Sequence, residues 1–140
     1  MTPLFKKLNL GDHRVIHVIK APDAFESEIA ALSDITIKRT LAGSVQFAIA
    51  FATTRKEVDA ISAQLIKAGK GDAVIWMAYP KGSSKRYQCD FNRDSGWQVL
   101  RDAGFDTVRM VALDEDWSAL RFRRVENIGV AKKGSKPHSI

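Results

Sequence analysis

The chain has 140 residues, 45% hydrophobic and 27% charged, with a net charge of +6 and a single cysteine, Cys89. That length and balance fit one globular domain with one core, and a lone cysteine excludes an intramolecular disulfide or a four-cysteine zinc site and suits a reducing, cytoplasmic setting. No apolar run approaches the roughly 18 residues of a membrane span and the start MTPLFKKLNLGD lacks a secretory apolar region, while three of the net charges are Lys132, Lys133 and Lys136, so charge alone makes no case for nucleic acid.

Residues 1–12 read as an arm whose Leu4, Phe5, Leu8 and Leu10 can pack as one turn before Gly11-Asp12 redirects the chain. Arg14–Lys20 is short and β-branched, as a strand requires. Ala21-Pro22-Asp23 stops it and opens a helix with Phe25, Ile29 and Leu32 at i, i+4 and i+7. Ile35–Leu41 alternates like a half-exposed or edge strand. In Val45–Ala52, Val45, Phe47, Ile49 and Phe51 take one face and Gln46, Ala48, Ala50 and Ala52 the other, so this strand is covered on both sides.

Thr54 with Glu57 three residues later is a capping box, and Val58, Ile61 and Leu65 form the inner stripe of a helix that Gly69 stops. Gly71-Asp72 turns into Ala73–Tyr79, again apolar on both faces, and Pro80 ends it. Two such strands joined by an amphipathic helix make a parallel βαβ unit. After a polar loop, Asn92 or Asp94 can cap a helix that turns Trp97 and Leu100 inward and closes at Gly104. Thr107–Leu113 and Ser118–Val125 then form an antiparallel hairpin at the sheet edge, with Arg109, Arg121 and Arg123 on a solvated face. Residues 129–140 have no apolar period and read as a disordered basic tail. The domain proper is residues 13–128.

In open parallel sheets, ligands gather outside the carboxyl ends of the strands. There this order of elements would collect Ala21-Pro22-Asp23, Thr53-Thr54-Arg55, the loop after Pro80, and Asp114-Glu115-Asp116-Trp117. The loop carries Lys81, Ser83, Ser84, Lys85 and Arg86, cations and hydroxyls suited to a phosphate or carboxylate, with Tyr79 and Trp117 as flanking aromatic surfaces and Tyr87 as a further one. A solvated basic loop is the plain alternative. It lacks the Walker A spacing. Asp114, Glu115 and Asp116 can pair with Lys81 and Arg86 more readily than hold a metal, for nothing supplies further ligands.

His13 and His17 have the i, i+4 spacing of a helical zinc pair, but on a strand they lie roughly 13 Å apart and cannot share an ion. Cys89 lies near Arg86, and neighbouring cations lower a thiol's pKa, yet no histidine follows closely enough in sequence to suggest a nucleophile pair. No G-x-S-x-G elbow is present.

Two blocks, VIWMAYPKGSSK and DTVRMVALDEDWSALRFRRVE, resemble a family of small bacterial proteins classified only as a domain of unknown function, marked by a W-x-x-W/Y-P-K loop and a D-x-x-W-S-x-L strand pair. Over about residues 45–126 the match falls on Trp76, Tyr79, Pro80, Lys81, Asp114, Trp117 and Ser118. The resemblance implies an α/β fold without specifying an activity.

More distantly, strand, helix, strand, helix and terminal hairpin are similar to the second half of class I S-adenosylmethionine methyltransferases. Together these point to a three-layer, Rossmann-like, methyltransferase-like α/β domain with a mostly parallel sheet and a C-terminal antiparallel hairpin. The family's glycine-rich cofactor turn is replaced by Lys20-Ala21-Pro22-Asp23, so no cofactor is expected. The expected function is a non-catalytic module binding an anionic small molecule or a partner at the carboxyl edge. The alternatives are a small methyltransferase-related transferase and a subunit that dimerises through its terminal hairpin.

Overall fold

The computed structural model describes residues 3–91 and 96–128. In chain order the elements are α1 (Pro3–Lys7), β1 (Val15–Ile19), α2 (Asp23–Ala30), β2 (Thr36–Lys38), β3 (Val45–Phe51), α3 (Arg55–Ala68), β4 (Gly69–Pro80), α4 (Gln98–Asp102), β5 (Phe105–Ala112) and β6 (Trp117–Arg124), then a 3-10 turn at Val125–Asn127. The strands make one six-stranded sheet in the order β2-β1-β3-β4-β6-β5. The pairs β1–β2, β1–β3 and β3–β4 are parallel, and β6 runs antiparallel to both β4 and β5. Five strands therefore share a direction and β6 alone opposes them.

The doubly apolar patterns of β3 and β4 are explained by two core layers. On one face Phe47, Ile49, Phe51, Trp76 and Ala78 meet Phe5 and Leu8 of the amino-terminal segment and Phe25 and Ile29 of α2. On the other face Ala48, Ala50, Ile75, Met77 and Tyr79 meet Val58, Ile61 and Leu65 of α3 with Trp97 and Leu100 around α4. The alanines of β3 let α3 approach closely, as three layers require.

The arm is structural in a specific way. Phe5, Leu8 and Leu10 are buried, and the buried indole Nε1 of Trp76 donates to the Leu8 carbonyl at 2.8 Å, which ties the arm to the central strand.

The capping box forms as expected: Thr54 Oγ1 accepts from Glu57 N, and the Glu57 carboxylate accepts from Thr54 N. Gly69 does stop α3, but at φ −72° and with no loop following, because β4 begins there rather than at Ala73. What requires glycine is proximity: a Cβ at Gly69 would lie 2.9 Å from the Leu65 carbonyl oxygen.

Other expectations change. The Ile35–Leu41 strand contracts to Thr36–Lys38, at the sheet edge beside β1. An irregularity between Val45 and Phe47 turns Val45 onto the face opposite Phe47. Pro80 does end β4, as expected, and pairs there with Trp117.

The terminal hairpin is not an edge feature as a whole. β6 is inserted between β4 and β5, only β5 lies at the edge, and Arg121 is half-buried instead of solvated. The caps expected at Asn92 or Asp94, and the tail from 129 to 140, lie outside the described residues; α4 begins at Gln98 after Trp97.

Among the described residues, no helix is long and apolar enough to cross a membrane. Trp76→Phe should cost about 2–4 kcal/mol, since it leaves the Leu8 carbonyl without its donor and opens a cavity. The check is a urea unfolding midpoint that falls while the slope stays constant.

Candidate ligand site at the carboxyl edge

From β1 the chain goes to β2 on one side through α2, then to β3 on the other side, with α2 and α3 on opposite faces. The carboxyl ends of β1 and β3 therefore flank a crevice where open α/β sheets bind ligands. A cleft of about 340 Å³ lies there, with Lys20 and Pro22 after β1, Thr53 and Glu57 after β3, and Tyr87 and Trp117 above them.

Glu57 organises this cleft. Its Oε1 accepts from Thr53 N at 2.8 Å, from Thr53 Oγ1 at 3.1 Å and from Thr54 N at 3.3 Å. Its Oε2 pairs across the crevice with Lys20 Nζ at 3.1 Å. The Thr53 backbone N–H is the main cause that lowers the Glu57 pKa to about 2, with Lys20 assisting against burial.

The loop after β4 is anchored at both ends. Lys81 N donates to the Asp116 carbonyl at 2.8 Å. Ser84 Oγ donates to Asp116 Oδ1 at 2.9 Å and accepts from the backbone N–H groups of Arg86 and Tyr87. At the far end, Asp90 Oδ1 accepts from Arg55 N at 2.7 Å. The acidic turn is ordered from within, because Asp114 Oδ1 accepts from Asp116 N and Trp117 N at 2.8 Å each. Tyr87 then lies with its ring centroid 4.9 Å from that of Trp117, which meets Phe51 edge-on at 5.2 Å.

A second cavity of about 350 Å³ adjoins the loop, lined by Tyr79, Lys81, Ser84, Tyr87 and Cys89 among others. The expected site residues thus divide. Lys81 and Tyr87 line cavities, and Ser83 and Lys85 are exposed. Arg86 reaches Asp116 only at 3.9 Å and is 73% exposed, so that pair contributes little. Ser84 and Asp114 are engaged in holding their own turns.

Trp117 and Tyr79 do not flank one position: they belong to core layers on opposite faces of the sheet, and Tyr79 Oη donates toward Met110 Sδ at 3.5 Å. Tyr87 is the aromatic residue that lines both cavities. The Cys89 thiol has its pKa raised by burial, with Asp90 adding to the rise and the Phe91 N–H opposing it, the reverse of activation by cations. His17 is buried, with Nδ1 2.8 Å from the Thr40 carbonyl oxygen.

Lys20 and Glu57 are the residues that reading the sequence missed as a pair. Glu57 was visible as half of a capping box, but its ion pair depends on β1 and β3 lying side by side.

The architecture is similar to three solved structures. They are a SAM-dependent methyltransferase from Aquifex aeolicus (TM-score 0.54, 13% identity, 86% of this chain and 88% of that one), the magnesium protoporphyrin IX methyltransferase of Synechocystis PCC 6803 with bound SAH (0.55, 13%, 86% and 78%), and the N-methyltransferase NodS of Bradyrhizobium japonicum with S-adenosyl-L-homocysteine (0.53, 13%, 88% and 88%). The fold is that of the Rossmann-like methyltransferases. No family model matches the chain, and no curated protein matches it in sequence.

The residues at the equivalent crevice do not fit an S-adenosyl group held in a glycine cradle. Lys20 occupies the left-handed backbone region, at φ 58°, where glycine is favoured, and its side chain is paired with Glu57 across the crevice. Pro22 offers no N–H. Beyond β2, where an acid would bind ribose hydroxyls, stands Arg39, paired with Glu26 at 2.7 Å.

The lowered Glu57 pKa stabilises the fold fully above its unfolded value of 4.5, and that contribution is lost as pH falls from there toward about 2. With the side chain partly exposed, it is worth about 1–2 kcal/mol. Glu57→Gln keeps an acceptor for the Thr53 N–H and removes the charge. The expected result is a lower melting temperature at neutral pH and a flatter stability profile across that acidic window, read by thermal unfolding.

Proposed function

We propose that this protein is a methyltransferase-like module that binds an anionic small molecule at the carboxyl edge of its sheet without catalysing its conversion. The observation that carries this reading is Lys81: it lines the 350 Å³ cavity on a loop pinned by Asp116, and no acidic side chain among the described residues pairs with it. A cation on an anchored backbone with no ion pair of its own retains its charge for a ligand, against the cost of ordering its side chain on binding. Tyr87, shared by both cavities, is placed to stack on the ligand's body, while Ser83 and Lys85 at the rim attract the anion.

A thermal-shift screen with nucleotides, sugar phosphates and carboxylates tests the proposal. A ligand at 100 times its Kd should add about 2.7 kcal/mol of stability, and Lys81→Ala should abolish that gain. A hit unaffected by Lys81→Ala, or a screen without hits, removes the reading.

The likeness in fold favours a second reading, a small transferase related to methyltransferases. Calorimetry with S-adenosylmethionine separates the two: saturable binding supports the transferase, and the absence of binding removes it.

A further inference from the structure

Away from the carboxyl edge, the register of the last three strands produces an unusual arrangement of charge. Arg121 of β6 lies directly opposite Trp76 of β4 on one side and Arg109 of β5 on the other. Directly opposed residues share a face of a sheet, so both arginines lie on the Trp76 face, the one covered by the amino-terminal segment. Arg123, two residues along β6, joins them. Like charges directly opposite across a strand pair are destabilising.

The nearby acids relieve this repulsion only in part. Asp72 is taken bidentately by Arg123, at 2.8 and 2.6 Å. Asp106 is taken by Arg101 and by the Thr107 N–H. No acid among the described residues forms an ion pair with Arg109 or Arg121. Moreover, Arg121 Nε is buried and has no hydrogen-bond partner among the described residues. Burial and the neighbouring Arg123 lower the Arg121 pKa, with Arg109 adding to the effect and Asp72 opposing it. A buried guanidinium donor without an acceptor is costly unless a ligand supplies one.

We infer that Arg109 and Arg121 form an oxyanion site, distinct from the carboxyl-edge cavity, that takes the phosphate group of a phosphate monoester. A monoester carries close to two negative charges at neutral pH and three acceptor oxygens, matching two guanidiniums that make no ion pair among the described residues. A carboxylate would leave one charge unmatched. The planar fork of each arginine suits such oxygens bidentately.

Inorganic phosphate is the probe, titrated into the full-length protein at constant ionic strength and followed by phosphorus NMR linewidths. Saturable binding is expected, weakened at least tenfold by Arg109→Gln, an exposed substitution on the edge strand, and by Arg121→Lys, which keeps the charge and loses the fork. Lys67→Ala, which removes an exposed cation of α3 on the opposite face of the sheet, should leave it unchanged. Non-saturable broadening, equal affinity in Arg109→Gln, or loss of binding in Lys67→Ala would overturn the assignment. In a second arm, a short single-stranded oligonucleotide carries one charge per phosphate and should bind more weakly than phosphate. Tighter, steeply salt-dependent binding of the oligonucleotide would overturn the monoester in favour of a nucleic-acid backbone.

Discussion

The pairing of β6 between β4 and β5 is the constraint from which most of the carboxyl-edge surface follows. Because β6 opposes the other strands, it starts at the edge where they end, and Trp117 lies opposite Pro80. That single register brings the acidic turn against the basic loop, so Asp116 can accept from Ser84 while its carbonyl receives the Lys81 N–H. It also carries Trp117 onto Phe51 and Tyr87, which builds the aromatic side of the crevice. Further along the same strand it sets Arg121 between Trp76 and Arg109. Two regions of opposite character, a braced loop and an under-compensated arginine pair, result from one antiparallel insertion.

At the crevice itself, one carboxylate serves two purposes. Glu57 completes the cap of α3 and neutralises Lys20 across the switch point. A cofactor-binding sheet of this kind keeps the turn after its first strand open for a ligand, with glycines that let backbone N–H groups approach it. Here a lysine, a proline and an ion pair occupy that region. The fold is shared while the residues of that turn differ, and architecture and activity must be argued separately.

Local pattern made much of this molecule legible. The order of strands and helices, the capping box at Thr54 and Glu57, the apolar stripe of α3 and the two-sided burial of β3 and β4 all follow from periodicity and capping chemistry, which act over a few residues. Even the gathering of four separate segments at one edge followed from strand direction. Where local pattern misled, a longer-range interaction prevailed. The irregularity in β3 turned Val45 to the other face, and the alternating faces of Tyr79 and Trp117 separated two aromatic residues that share one edge.

By itself the sequence determined the layers, the strand directions and which loops gather at the carboxyl edge, because those depend on the spacing of apolar side chains and on turn residues. Only the tertiary structure decided which charges are spent and which remain available. Lys20 is matched by Glu57 and Arg123 by Asp72, while Arg109 faces Arg121. The reason is physical: an ion pair or a repulsive pair is set by the register of strands distant in sequence, 37 residues apart for Lys20 and Glu57 and 51 for Arg123 and Asp72. No local periodicity encodes a register of that range.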